Sequence, residues 1–361
     1  MEKKEERSRV EDMKKILIVR FKQIGDSLLA TPICESLRKT YPDARIDYVV
    51  YDHIAPLFEG HPAIDNVISI TKEERKNPLK YIAKVWKVTR LKYDIIIDIM
   101  STPKSELFTL LGRSAEYRIG RWKPKRGYTY THSVKEPKVS RDKVDKFLHM
   151  LKPLEEAGID IKYDTTYRVV LTDEEKNKLK DRMIEAGVNF NKPIFAFAIN
   201  SRRPEKIWNP ENMKKMIITL LDKYNAQGIF YYSPAEKEFA KNMHKELGSR
   251  TDIFSNIETK SIRELAMLLS NCDMFIGNEG GPRHIAQGLD LPSFAMFSPG
   301  AEKKEWLSNA NDRHRGIEPN DIIKELNIDK PETSKEEYDL ITPERVLPII
   351  DEMIGRYVEK K

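Results

Sequence analysis

Three short stretches of this 361-residue chain gather groups suited to holding an anion or moving a proton. Gly277-Asn-Glu-Gly-Gly-Pro-Arg-His284 joins a predicted strand to a predicted helix through three glycines. Backbone N–H groups can approach an anion at such a junction, and the polar groups Asn278, Glu279, Arg283 and His284 crowd the one turn. Asp26 follows Gly25 at the first strand-to-helix turn. Its ordinary role by residue type is a helix cap, and its chemical role is a carboxylate that accepts a proton from a bound hydroxyl. Ser201-Arg-Arg-Pro-Glu-Lys206-Ile-Trp208 is a basic loop after a strand, where an ammonium at Lys206 can neutralise a departing phosphate.

Missing motifs narrow the chemistry. The sequence has no G-x-x-x-x-G-K-[ST] and no G-x-G-x-x-G after its first strand, which argues against P-loop phosphoryl transfer and a dinucleotide dehydrogenase. It has no Asp-x-Asp and no His/Cys cluster with metal-ligand spacing, so neither a metal nor another cofactor is expected. A leaving phosphate would then be met by protein cations and helix N–H groups. Cys34 and Cys272 are too few for a disulfide framework, and a reducing compartment is the economical expectation.

The elements that must position these loops follow from length and periodicity. At 361 residues the chain is too long for one ordinary core, while 40% hydrophobic and 33% charged residues describe a globular protein. Apolar strand-length runs alternate with helical patterns from Lys15 to Ile119, and the same grammar returns from Ile194 to Phe297. Strands separated by helices imply parallel sheets, because parallel neighbours need crossover connections. The expected organisation is a mobile leader over 1–13, an N-terminal domain over 14–168, a C-terminal domain over 169–335 and a helical tail over 336–361. The helix predicted from Asp26 to about Lys39 would carry the first loop. Thr172-Asp-Glu-Glu and Ser261-Ile-Arg-Glu264 both read as helix starts. In open α/β sheets ligands collect at the carboxyl ends of strands, so the loops that follow strands carry the expected site.

Ile16-Leu-Ile-Val-Arg20 with Ile24-Gly-Asp-Ser-Leu-Leu-Ala-Thr-Pro32, and later Phe275-Ile-Gly-Asn-Glu-Gly-Gly-Pro-Arg-His-Ile-Ala286, resemble the family 9 glycosyltransferases, the lipopolysaccharide heptosyltransferases and their relatives. The similarity runs from about Met13 to about Pro299. The resemblance implies an α/β GT-B architecture, two Rossmann-like domains with parallel sheets facing a central cleft. It also implies a metal-independent inverting enzyme that moves a heptose-like sugar from an ADP-heptose-like donor to a lipopolysaccharide inner-core acceptor. By match of motif, Asp26 takes the place of the catalytic base and Lys206 that of a lysine on the donor phosphates. Glu236 matches a donor-binding glutamate near the ribose or base, and Gly280, Gly281 and His284 match the diphosphate turn. The family usually has Asp then Ser or Thr before the glycine of this turn. Here Glu279 and Gly280 stand there, with one hydroxyl fewer and a carboxylate one methylene longer, where sugar hydroxyls are expected to be read.

Charge concentrates in one stretch. The whole chain carries +6, yet residues 113–146 hold eleven Lys or Arg against four acids. Arg118, Arg121, Lys123, Lys125 and Arg126 are the expected contacts for an anionic glycolipid acceptor, with Trp122, Tyr128 and Tyr130 available to stack on sugar rings or a lipid surface to meet the same patch. Two other readings stay open at this level: a nucleic-acid-binding protein using that patch, and a catalytically silent sugar-nucleotide-binding relative. No recognition motif supports the first, and no nucleic-acid partner is expected. No apolar run approaches a membrane span, so a cytoplasmic protein is expected, in peripheral contact with the cytoplasmic face of the inner membrane at most.

Overall fold

The computed structural model describes residues 14–124, 127–137 and 142–358; the leader expected over 1–13 lies outside them. The chain divides into two compact units after Val170. Among the described residues the first unit holds β1 (Lys15–Val19), β2 (Arg45–Tyr51), β3 (Asn66–Ile70), β4 (Ile95–Asp98), β5 (Tyr117–Arg121) and β6 (His132–Val134). They form one parallel sheet in the order β3-β2-β1-β4-β5-β6. The second unit holds β7 (Ile194–Ala198), β8 (Gln227–Phe230), β9 (Ile253–Phe254), β10 (Met274–Asn278), β11 (Ser293–Met296) and β12 (His314–Ile317). Its sheet, β12-β11-β10-β7-β8-β9, is again parallel and repeats the strand order of the first unit. The two sheets are the α/β architecture expected from the alternating pattern. β6, β9 and β12 escaped the sequence reading because each is short and lies at or near a sheet edge, where little apolar patterning is required.

The central strands are apolar on both faces because helices cover them. In the first unit Leu17, Val19, Val49 and Ile96 pack with Tyr81, Val85 and Val88 of the helix Pro78–Thr89 and with Phe108. In the second unit Phe195, Phe197 and Phe230 pack with Met213, Met216, Ile217 and Leu220 of the helix Pro210–Tyr224, and with Val346, Ile350 and Met353 of the helix Pro343–Tyr357. The C-terminal residues are therefore part of the second core.

Two helix starts show how sequence sets local structure. Thr172 accepts from the Glu175 N–H at 3.2 Å and its own N–H donates to Glu175 at 2.8 Å, a closed capping box. Ser261 accepts from Glu264 N–H at 3.1 Å, but the Glu264 carboxylate takes the N–H of Lys260 instead. The helix expected over Asp26 to Lys39 is two pieces, Ile24–Leu28 and Thr31–Thr40. Pro32 has no N–H to give to Leu28, and the Thr31 hydroxyl donates to that carbonyl at 2.9 Å.

Gly277 lies in β10 beside Ala198 of β7, with φ +142°. A Cβ there would stand 2.5 Å from the Ala198 carbonyl oxygen and 2.7 Å from its nitrogen, backbone atoms that cannot turn aside. Gly277→Ala is expected to lower unfolding free energy by about 1–3 kcal/mol or more. Urea denaturation measures this, and an unchanged midpoint would contradict the close approach of β7 and β10.

Candidate active site

In the first unit the strand order reverses between β1 and β4, and the loop leaving β1 carries Asp26. Asp26 is not a helix cap, as its residue type suggested: Gln23 holds the cap position, and the Asp26 carboxylate points to Arg20 instead. The Arg20 guanidinium donates to Asp26 Oδ1 at 2.5 Å, with side-chain exposures of 6% for the arginine and 19% for the acid. Arg20 stacks over the Phe147 ring at 4.6 Å, and Arg121 lies over that ring at 5.6 Å. Burial lowers the pKa of Arg20 from its ordinary value, with the Asp26 charge opposing the shift. The sequence reading used Arg20 only as part of a motif. Its signal was a cation closing an apolar strand, a position where a charged residue needs a partner.

Across the reversal, β4 ends on Asp98, a second acid that sequence reasoning missed. Asp98 Oδ1 accepts from the Met100 and Ser101 N–H groups at 3.0 and 2.9 Å, and Oδ2 accepts from the Tyr130 hydroxyl at 2.8 Å. Full burial pushes its pKa up to about 6 against the pull of these hydrogen bonds. Tyr130, expected to stack on sugar, is buried instead, its ring filling the space a side chain at Gly120 would take. The Ser101 turn in turn accepts from Arg121 N–H at 2.7 Å and from the Lys123 ammonium at 2.5 Å through its carbonyl.

Three described cations of the basic stretch, Arg118, Arg121 and Lys123, are tied down locally. Arg118 donates to the carbonyls of Arg113, Ala115 and Thr129 at 3.2, 2.9 and 3.0 Å, and Arg121 pairs with Glu136 at 2.9 Å. Arg113, Arg118 and Tyr128 line a recess of about 300 Å³ with Thr109, Leu110 and Thr129. Lys125 and Arg126 lie outside the described residues.

In the second unit the order reverses between β7 and β10, and the loops leaving both strands meet. The Lys206 ammonium is ion-paired with Glu279 Oε1, and Ser298 Oγ lies 3.5 Å from the same oxygen. Glu279 has 9% side-chain exposure and Lys206 27%. The Lys206 loop is held at 2.8 Å by Trp208 N–H donating to Asn278, at 2.9 Å by the Trp208 indole donating to Ile341, and at 3.4 Å by the Tyr338 hydroxyl donating to the Lys206 carbonyl. Gly280 precedes the helix Gly281–Gly288, whose start carries no side-chain cap. His284 is buried beneath that turn, where Arg283 donates to its Nδ1 at 2.8 Å. Burial first, then Arg283 and Lys206, push its pKa well below the ordinary value. Glu236 stands apart, one carboxylate oxygen accepting from the Ser233 N–H at 2.9 Å and hydroxyl at 2.6 Å. Among the described residues no group of three or more His, Cys, Asp or Glu is arranged to hold a metal ion.

Two doubly wound parallel units with polar loops at their reversal points make up the GT-B fold. A family model, glycosyltransferase family 9 (heptosyltransferase), matches residues 82–333, and the chain belongs to that family. It is 25% identical over 291 residues to lipopolysaccharide heptosyltransferase 3 of Escherichia coli, covering 76% of this chain and 80% of the relative. The solved family 9 glycosyltransferase from Veillonella parvula superposes with a TM-score of 0.79 at 21% identity, over 95% of this chain and 98% of that one. The E. coli ADP-heptose lipopolysaccharide heptosyltransferase II superposes with a TM-score of 0.73 at 17% identity, over 95% and 99%.

The buried acid makes stability depend on pH. Asp98 has a folded pKa raised to about 6, so its favourable contribution is complete below its unfolded value of about 4 and is lost as pH rises through 6. His61 and His314, lowered to about 4 by burial, contribute in the opposite sense: their stability is present above about 6.5 and is lost as pH falls through 4. Acidification from pH 6 to pH 4 is therefore expected to cost Asp98→Asn more than the wild type, by up to about 3 kcal/mol. Urea unfolding of both proteins across this range checks it; parallel curves would contradict the assignment.

Proposed function

We propose that this family 9 enzyme transfers a heptose-like sugar from an ADP-heptose-like donor to a hydroxyl of a lipopolysaccharide inner-core acceptor, by a single inverting displacement that uses no metal or other cofactor. The observation that carries the reading is the pair of oppositely presented charges: a carboxylate at the first reversal point and an ammonium beside an uncapped helix start at the second. The acceptor oxygen attacks the anomeric carbon as the bond to the diphosphate breaks, and Asp26 takes the hydroxyl proton. Arg20 holds the base in position. The charge appearing on the nucleoside diphosphate is met by Lys206 and the helix start at Gly281. Arg118, Arg121 and Lys123, with Lys125 and Arg126, serve the anionic acceptor, and the recess beside Arg113 and Arg118 is the candidate seat for one of its acidic groups. Glu236 serves the nucleoside. The relatives' names support this reading, since they are heptosyltransferases and one is described as using ADP-heptose.

Thermal shift with nucleoside diphosphates and nucleotide sugars tests the donor: ADP is expected to stabilise the protein more than UDP or GDP. Binding without transfer to any acceptor would instead favour a catalytically silent relative. Asp26→Ala is expected to lower turnover by about 10²–10⁴-fold with donor binding nearly intact, and unchanged turnover removes Asp26 as base. Lys206→Ala should weaken ADP binding in calorimetry.

Glu279 supplies a sharper test. A diphosphate arriving at Lys206 meets a buried carboxylate already paired with that ammonium, and like charges placed together oppose binding. Glu279→Gln is expected to bind ADP several-fold more tightly while losing preference for the sugar-bearing donor over ADP. Equal or weaker ADP binding would show that Glu279 does not compete for Lys206.

A further inference from the structure

The helix Pro78–Thr89 turns Tyr81, Val85 and Val88 into the first core, and its opposite face breaks the usual pattern of a surface helix. Leu79 is 79% exposed, Ile82 45% and Trp86 53%, and Leu91 beyond the helix end is 40% exposed. At helical spacing Leu79, Ile82 and Trp86 fall within about 60° of arc, one ridge of large apolar side chains in water.

Charge surrounds the ridge. Residues 72–92 hold eight Lys or Arg against two acids. Those acids are already engaged, Glu73 with Lys80 and Glu74 with Lys84 at 3.6 Å, and Arg75 pairs with Asp52 at 3.4 Å. Among the described residues no carboxylate pairs with Lys72, Lys76, Lys87, Arg90 or Lys92, and Arg90 lies over the Trp86 ring at 4.7 Å.

We propose that this face is a docking surface for an anionic phospholipid bilayer. Leu79, Ile82 and Trp86 enter the boundary between headgroups and acyl chains, while the lysines and arginines stay with the lipid phosphates. This is the division of labour of an interfacial helix, and an amphipathic indole suits the same depth. Charge complementarity selects the occupant: a second copy of this face would set one unpaired cation cluster against another, whereas an anionic leaflet neutralises it. The contact is parallel to the membrane, as no described helix is long and apolar enough to cross one. It also places the membrane contact on a face other than residues 113–146, leaving that basic stretch to the acceptor. The proposal does not depend on which sugar the enzyme moves.

Co-sedimentation of the full chain with vesicles tests it without any activity readout. Binding to phosphatidylglycerol–phosphatidylcholine vesicles is expected to exceed binding to phosphatidylcholine alone by at least about ten-fold and to fall with salt, since each cation near an anionic surface is worth about a five-fold gain. The double variant Leu79→Ser/Trp86→Ser and, separately, Lys87→Glu/Arg90→Glu should each lower it by about ten-fold or more. Ile184→Ser, at a site 51% exposed in the second unit, should leave binding unchanged. Absence of wild-type binding to anionic vesicles, or binding indifferent to both double variants, overturns the proposal. Loss of a dimer in the variants with vesicle binding unaltered assigns the face to a second copy instead.

Discussion

Parallel strands cannot be joined by tight turns, and a sheet built outward from its middle must reverse its strand order once. That constraint places every candidate catalytic group of this chain. At the reversal the loops from adjacent strands part to opposite faces of the sheet and leave their carboxyl ends uncovered. The first unit reverses between β1 and β4, and the second between β7 and β10. Arg20, Asp26 and Asp98 follow or end the first pair of strands. Lys206, Asn278, Glu279 and the Gly281 helix start follow or end the second. The sheet supplies rigidity below, and polar side chains supply the ordering of otherwise irregular backbone above.

The same device appears twice with its sign inverted. Each reversal point holds one ion pair, and burial decides which partner is presented. In the first unit the cation is the more buried partner, 6% against 19%, so the carboxylate faces outward. In the second the acid is the more buried, 9% against 27%, so the ammonium does. An isolated buried charge would be costly, and pairing lets each unit hold one charged group in place behind another. A carboxylate presented this way suits proton removal, and an ammonium suits a leaving diphosphate. The two repeats thus present opposite charges at equivalent points of the same strand order.

The sheet class was legible because buried strands and amphipathic helices leave strong periodic signals. Asp26 and Lys206 were legible because motif and position agreed. Their partners were harder to see. Arg20 pairs with an acid six positions further on, but Asp98 depends on Tyr130 and a turn that only the folded chain assembles. Tyr130 itself read as an exposed aromatic in a basic stretch, and it is buried because Gly120 on β5 leaves room for its ring. His284 reads as a ligand to an anion, and the folded chain buries it against Arg283, a contact that residue type alone does not show. Residue type gave the chemistry available at each position, and long-range packing decided which of it faces outward.

The loop that carries Lys206 shows how far such dependence reaches. Its local structure is only the short turn Pro204–Lys206, too little to fix an ammonium. Its anchors come from Asn278, Ile341 and Tyr338, 70, 133 and 132 residues away from the groups they hold. Two of the three lie in the segment that periodicity alone left as a tail, and that segment is fixed by burying Val346, Ile350 and Met353 against the helix Pro210–Tyr224. The geometry at Lys206 is thus set by the core of the whole second unit, so a substitution that loosens the last helix acts on the Lys206 loop without touching it.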